Sequence, residues 1–213
     1  VFIQREWFDP AKLPKARAIT FKARDGLVLH GYLTLPVGAA DASRLPMVVM
    51  PHGGPYGEFD EWDFNDDTQL LAEAGYAVLV VNPFYRHAKS PILPANVDPR
   101  APENWAKVRD LAGKLTPKTN VTDAKAFAAW IDKQKSVDRK RKMATMGYCM
   151  GGPMVIRTAA ALPARIGAAA TFHSSALVTD KPDSPHLLIP KMKASALIAI
   201  AENDDQKAPK EKD

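Results

Sequence analysis

The sequence predicts an α/β domain, a mostly parallel sheet covered on both faces by helices. Three observations carry that prediction. Short apolar runs such as MVVM (47–50) and AVLVV (Ala77–Val81) do not alternate with polar residues, so they read as strands buried on both faces. Segments of helical periodicity stand between such runs, and a β, α, β order implies parallel neighbours. The chain has 213 residues, 46% hydrophobic and 25% charged, which suits one core over residues 1–213 rather than two full domains.

Taken in order, residues 17–35 read as two strands joined at Asp25-Gly26, because β-branched and aromatic residues flank a dipeptide that favours positive φ. The run 47–50 is stopped by Pro51-His52-Gly53-Gly54-Pro55. Residues 66–74 suit a helix that Gly75 ends before the strand Ala77–Val81. Pro83, Pro91, Pro94, Pro99 and Pro102 break any period over 83–104, which reads as a long irregular excursion. An amphipathic helix follows over 120–135, with Val121, Ala124, Phe127, Ala128 and Ile131 on one face. Strand 143–147, helix 150–161, strand Ile166–Phe172 and strand 194–201 complete the alternation.

Charge and cysteine content exclude several classes. The 29 Lys and Arg against 24 Asp and Glu leave +5, a mild excess without the clustered basic face of a nucleic-acid binder. No apolar run reaches the length of a membrane span, and VFIQREWFDP lacks the order of a signal peptide. The single cysteine forbids an intrachain disulfide, so a reducing, cytoplasmic setting is expected. No spacing of His and Cys suggests a metal, and no glycine-rich phosphate loop is present, so no cofactor is expected.

The hexapeptide Gly147-Tyr148-Cys149-Met150-Gly151-Gly152 lies between an expected strand and an expected helix. A sharp turn there strains its central residue and needs small residues on either side, the pattern of a nucleophile elbow. It would hold Cys149 at a helix N-terminus, where partial positive charge favours thiolate.

From about residue 75 the chain, with GYAVLVVNPFYRHAKSP, GYCMGG and AENDD, resembles the dienelactone hydrolase family of α/β-hydrolases, which use a cysteine in place of the usual serine. The resemblance implies an α/β-hydrolase fold and hydrolysis of a small ester or lactone through a thioester on Cys149. Asp204, or Asp205, then falls at the triad acid, which orients the base. Arg86, with Tyr85 beside it, matches the arginine that holds a substrate carboxylate, a bidentate task suited to guanidinium. Residues 1–82, with RDGLVLHGYLTLP, VVMPHGGP and EWDFNDDTQLLAEAGYAVLVVN, resemble instead the start of the catalytic domain of prolyl-oligopeptidase-type serine peptidases. A mosaic with its seam at 75–85 is therefore expected. The peptidase resemblance makes Gly53 or Gly54 partner the Met150 N–H as an oxyanion hole. Dienelactone hydrolases carry a glutamate in that loop, and this sequence has none there.

In this fold the triad histidine follows the acid. The chain's histidines are His30, His52, His87, His173 and His186, and none does. The base is therefore expected beyond residue 213, with the sheet lacking its last strand and helix and exposing an edge through which two copies could pair as a homodimer. His173, after a strand, is read as a pocket-rim residue in contact with substrate. The competing readings are a serine-peptidase-like hydrolase, and a non-catalytic binding or scaffold protein on the same fold.

Overall fold

A computed structural model describes residues 10–39, 44–51, 65–89, 92–94, 97–98, 101–174, 176–201, 204 and 210. Seven strands form one sheet, β1 (Ala16–Lys22), β2 (Val28–Thr34), β3 (Met47–Pro51), β4 (Ala77–Val81), β5 (Met143–Tyr148), β6 (Ile166–Phe172) and β7 (Ser195–Ala199), in the order β1-β2-β4-β3-β5-β6-β7. The hairpin expected from Asp25-Gly26 is present. Gly26 takes φ 84° and its N–H donates to the Ala23 carbonyl at 3.0 Å, closing the turn that pairs β1 with β2. β2 lies antiparallel to β4, and from β4 onward every pairing is parallel.

Two layers of helices cover the sheet. On one face Val48, Met50 and Val78 pack with Leu71 of α1 (Asp66–Glu73). On the other, Val49, Leu79 and Val81 meet Phe127 and Ile131 of α3 (Pro117–Ile131) and Val155 and Ala159 of α4 (Gly151–Ala161). The alternation along β3 thus feeds both layers, and all five of its residues are buried.

Three elements depart from the sequence reading. The proline-rich stretch 83–104 is not wholly irregular, because it begins with a 3₁₀ turn over Pro83–Arg86 and ends inside α2 (Pro102–Gly113). Proline is tolerated in a helix's first turn, where its missing N–H would have no partner anyway, and so Pro102 opens α2. α3 begins three residues earlier than its apolar spacing suggests. Thr116 and Thr119 form reciprocal caps there and Pro117 takes the first helical position. β7 is short and open, with Leu197 and Ile198 56% and 39% exposed, and no strand follows it among the described residues.

Candidate active site

The corner between β5 and α4 is built almost entirely from backbone. Cys149 has φ 48°, the left-handed region that a residue with a Cβ seldom enters. It is fixed there from both sides. Its N–H donates to the Phe172 carbonyl at the end of β6 at 3.1 Å, and its carbonyl accepts from the Gly152 N–H at 3.1 Å. The flanking glycines are constrained unequally, Gly147 tightly and Gly152 absolutely. A Cβ on Gly147 would stand 3.0 Å from Val155 Cγ2 and 3.1 Å from the Gly151 backbone, and one on Gly152 would fall 1.9 Å from Ser174 Oγ. The thiol is half-buried and precedes Met150, the cap of α4, so it sits where that helix concentrates its partial positive charge.

The next corner, after β6, repeats the device. His173 takes φ 38° and its N–H donates to the Ala199 carbonyl of β7 at 2.8 Å. Tyr148 joins the two corners, its ring stacked on Phe172 at 5.0 Å and tilted against His173 at 5.8 Å. Burial raises the Tyr148 pKa, and the neighbouring Asp67 carboxylate pushes it the same way.

Asp204 lies after β7. Its N–H donates to the Ala201 carbonyl at 2.9 Å, and its Oδ2 accepts from the Ala201 N–H at 3.2 Å, so the carboxylate is oriented by its own turn. Asp205 and the expected oxyanion glycines Gly53 and Gly54 lie outside the described residues, as does His52.

Arg86, expected to receive a substrate carboxylate, holds two carboxylates of this chain. Its Nε donates to Asp123 Oδ2 at 2.9 Å, Nη2 also meets Asp123, and Nη1 reaches Asp25 Oδ2 at 2.5 Å. The side chains of Arg86 and Asp123 are 11% and 12% exposed. Asp123 holds the guanidinium well above its ordinary pKa, and burial raises the Asp123 carboxyl against the lowering pull of Arg86. Tyr85 is stacked on His30 of β2 with ring centres 3.6 Å apart. Both residues therefore tie the turn after β4 to the hairpin. The sequence reading missed Asp25 and Asp123 as partners of Arg86. The one available signal was Asp123, an acid next to Ala124 at the edge of the apolar face of α3.

A mostly parallel sheet with helices on both faces, and a strained strand-to-helix corner between small residues, define an α/β-hydrolase. The chain belongs to the dienelactone hydrolase family, whose model matches residues 29–212, a span that crosses the expected seam at 75–85. An uncharacterized protein of Pseudomonas aeruginosa is 28% identical over 172 residues, which cover 79% of this chain and 40% of that protein. The chain thus spans well under half the length of that curated relative. Dipeptidyl aminopeptidase BIII of Pseudoxanthomonas mexicana is 41% identical over 71 residues, 30% of this chain and 10% of the peptidase. Two solved structures share the fold. A dienelactone hydrolase from Anabaena variabilis superposes with a TM-score of 0.61 at 17% identity, over 94% of this chain and 79% of that one. The acylaminoacyl peptidase of Pyrococcus horikoshii does so with 0.62 at 21% identity, over 88% and 32%. Both resemblances read from the sequence are thus present. Among the described residues no helix is long and apolar enough to cross a membrane.

Proposed function

We propose that the chain hydrolyses a small ester or lactone with Cys149 as nucleophile. The observation that carries this reading is the left-handed Cys149 held between Gly147, where a Cβ would be tight, and Gly152, which excludes one. Such strain persists only where the surroundings over-determine it, and here it presents a thiol rather than a filler side chain. The thiolate attacks the carbonyl carbon, forming a C–S bond and an oxyanion, and the Met150 N–H, next along the elbow, would receive that oxyanion. The alkoxide leaves with a proton taken from solvent water, giving the alcohol and a thioester. Water then adds to the thioester, and the collapsing adduct releases the acid and restores the thiol. That water needs a base, and Asp204 is the acid that would orient it. His173, whose strand adjoins both β5 and β7, is the histidine of this chain to test in the role.

The peptidase relatives support a second reading, cleavage of an aminoacyl bond, on the strength of short matching segments. An amine leaves less readily than an alcohol and needs protonation as it departs, so the cysteine favours the ester. The test compares p-nitrophenyl acetate with an alanine p-nitroanilide. Ester hydrolysis that falls to the buffer rate in Cys149→Ala, with an acetyl adduct on Cys149 in the intact-mass spectrum, is expected. Anilide cleavage at a comparable rate, or ester hydrolysis unaffected by Cys149→Ala, would overturn the reading.

A further inference from the structure

A cavity of about 160 Å³ opens on the α3 and α4 side of the sheet, beside the C-terminal ends of β3 and β4. Val49, Val81, Leu115, Phe127 and Met154 make most of its wall apolar. Arg157, on the second turn of α4, is the cation that lines it. The Nε of Arg157 is buried with no hydrogen-bond partner, and among the described residues the side chain forms no ion pair. Burial lowers its pKa, opposed only by the field of Asp183. Asn120 lines the same cavity, and its Oδ1 is also buried and unpartnered. Buried polar groups are normally satisfied, and Arg157, itself half-buried, keeps its Nε out of water without a partner. Two unsatisfied groups on the walls of one apolar cavity are what a ligand-binding site looks like when its ligand supplies the missing partners.

We propose that this cavity binds a small apolar carboxylate, its anionic end on Arg157 and its hydrocarbon body against Val49, Val81, Phe127 and Met154. The size fits, since a dry cavity of roughly 150 Å³ accepts a benzene ring. The chemistry fits as well, because a carboxylate offers Arg157 the charge-assisted acceptors it lacks, and a ring hydroxyl or N–H would answer Asn120. Asp123 lines the same cavity, but its charge is answered by Arg86, whereas Arg157 has no contact partner and feels only the field of the exposed Asp183. The site does not depend on the chemistry assigned to Cys149, although Met150 forms part of its wall.

The test is a fluorine NMR titration of the whole chain with 4-fluorobenzoate and with its neutral analogue 4-fluorobenzamide. The benzoate is expected to bind saturably and at least about tenfold more tightly than the benzamide, the worth of one charge-assisted contact. Arg157→Met should remove that tenfold preference while leaving the benzamide unchanged, Arg157→Lys should keep part of it, and Cys149→Ala should keep all of it. Equal affinities for the two probes, or no saturation by benzoate up to about 10 mM, would overturn the proposal. Should Arg157→Met not fold, the comparison of the two probes on the unaltered chain decides alone. A chain that binds benzoate yet hydrolyses no ester would refute the reaction and leave this site standing.

Discussion

Two corners of the sheet, the turn after β4 and the elbow after β5, solve one problem by opposite means. Each must carry the chain off the sheet edge and hold it in a fixed direction. The turn after β4 is held by side chains. Asn82 accepts from the Phe84 N–H at 2.8 Å, Phe84 is buried, Tyr85 stacks on His30, and Arg86 bridges α3 and the β1–β2 hairpin. The elbow is held by the lack of side chains. Gly147 and Gly152 let β5, α4 and Ser174 approach so closely that the Cys149 backbone has no room to relax. A corner built on charge tolerates changes of shape but not loss of a partner, whereas one built on contact tolerates changes of charge but not a methyl added at its tightest point, Gly152.

That contrast can be broken most severely at Arg86. Arg86→Leu strands the Asp123 carboxylate in a buried site, a loss of about 3 kcal/mol in urea unfolding, and Arg86→Leu with Asp123→Leu should recover most of it. A single-variant loss below about 0.5 kcal/mol would mean that the bridge is not what holds this turn. At the elbow Gly152→Ala comes next, costing roughly 2 to 3 kcal/mol because its methyl would overlap Ser174. Ser174→Gly in the same chain removes both the Oγ and the Cβ that the methyl meets, and melting temperatures should show partial rescue. Gly147→Ala meets its neighbours at 3.0 Å or more and should cost about 1 kcal/mol. A reversed order of the two glycine variants would place the tight contact elsewhere.

The smallest expected effect is one of pH, and below neutrality it should appear at the side-chain corner. Burial, with Lys89 adding to it, holds the His30 pKa below the ordinary histidine value of 6.5. Between its folded and unfolded pKa the unfolded chain binds the additional proton, so stability is fully present above pH 6.5 and declines as pH falls toward the folded value. Melting at pH 5 and pH 7.5 should show this loss, and His30→Phe, which keeps a ring on Tyr85, should flatten it. An unchanged slope in that variant would assign the pH dependence to another group.

The sequence by itself determined the strands, most of the helices and the elbow. Apolar runs without alternation mark buried strands, helical spacing marks α3, and a cysteine between glycines marks the turn after β5, because backbone sterics and periodicity act over a few neighbouring residues. α2 escaped, since its one proline looks like a breaker until Pro102 is seen in the first helical turn, where no N–H is needed. What only the tertiary structure decided lies in pairs far apart along the chain. Arg86 meets Asp123 across 37 residues and Asp25 across 61, so the arginine read as a substrate clamp is paired with two of the fold's own carboxylates. Ser174 against Gly152, and Arg157 with Asn120 around one cavity, are of the same kind. A charged or polar residue in a sequence carries its chemistry but not its partner, and the partner is selected only when packed elements bring distant side chains within hydrogen-bonding reach.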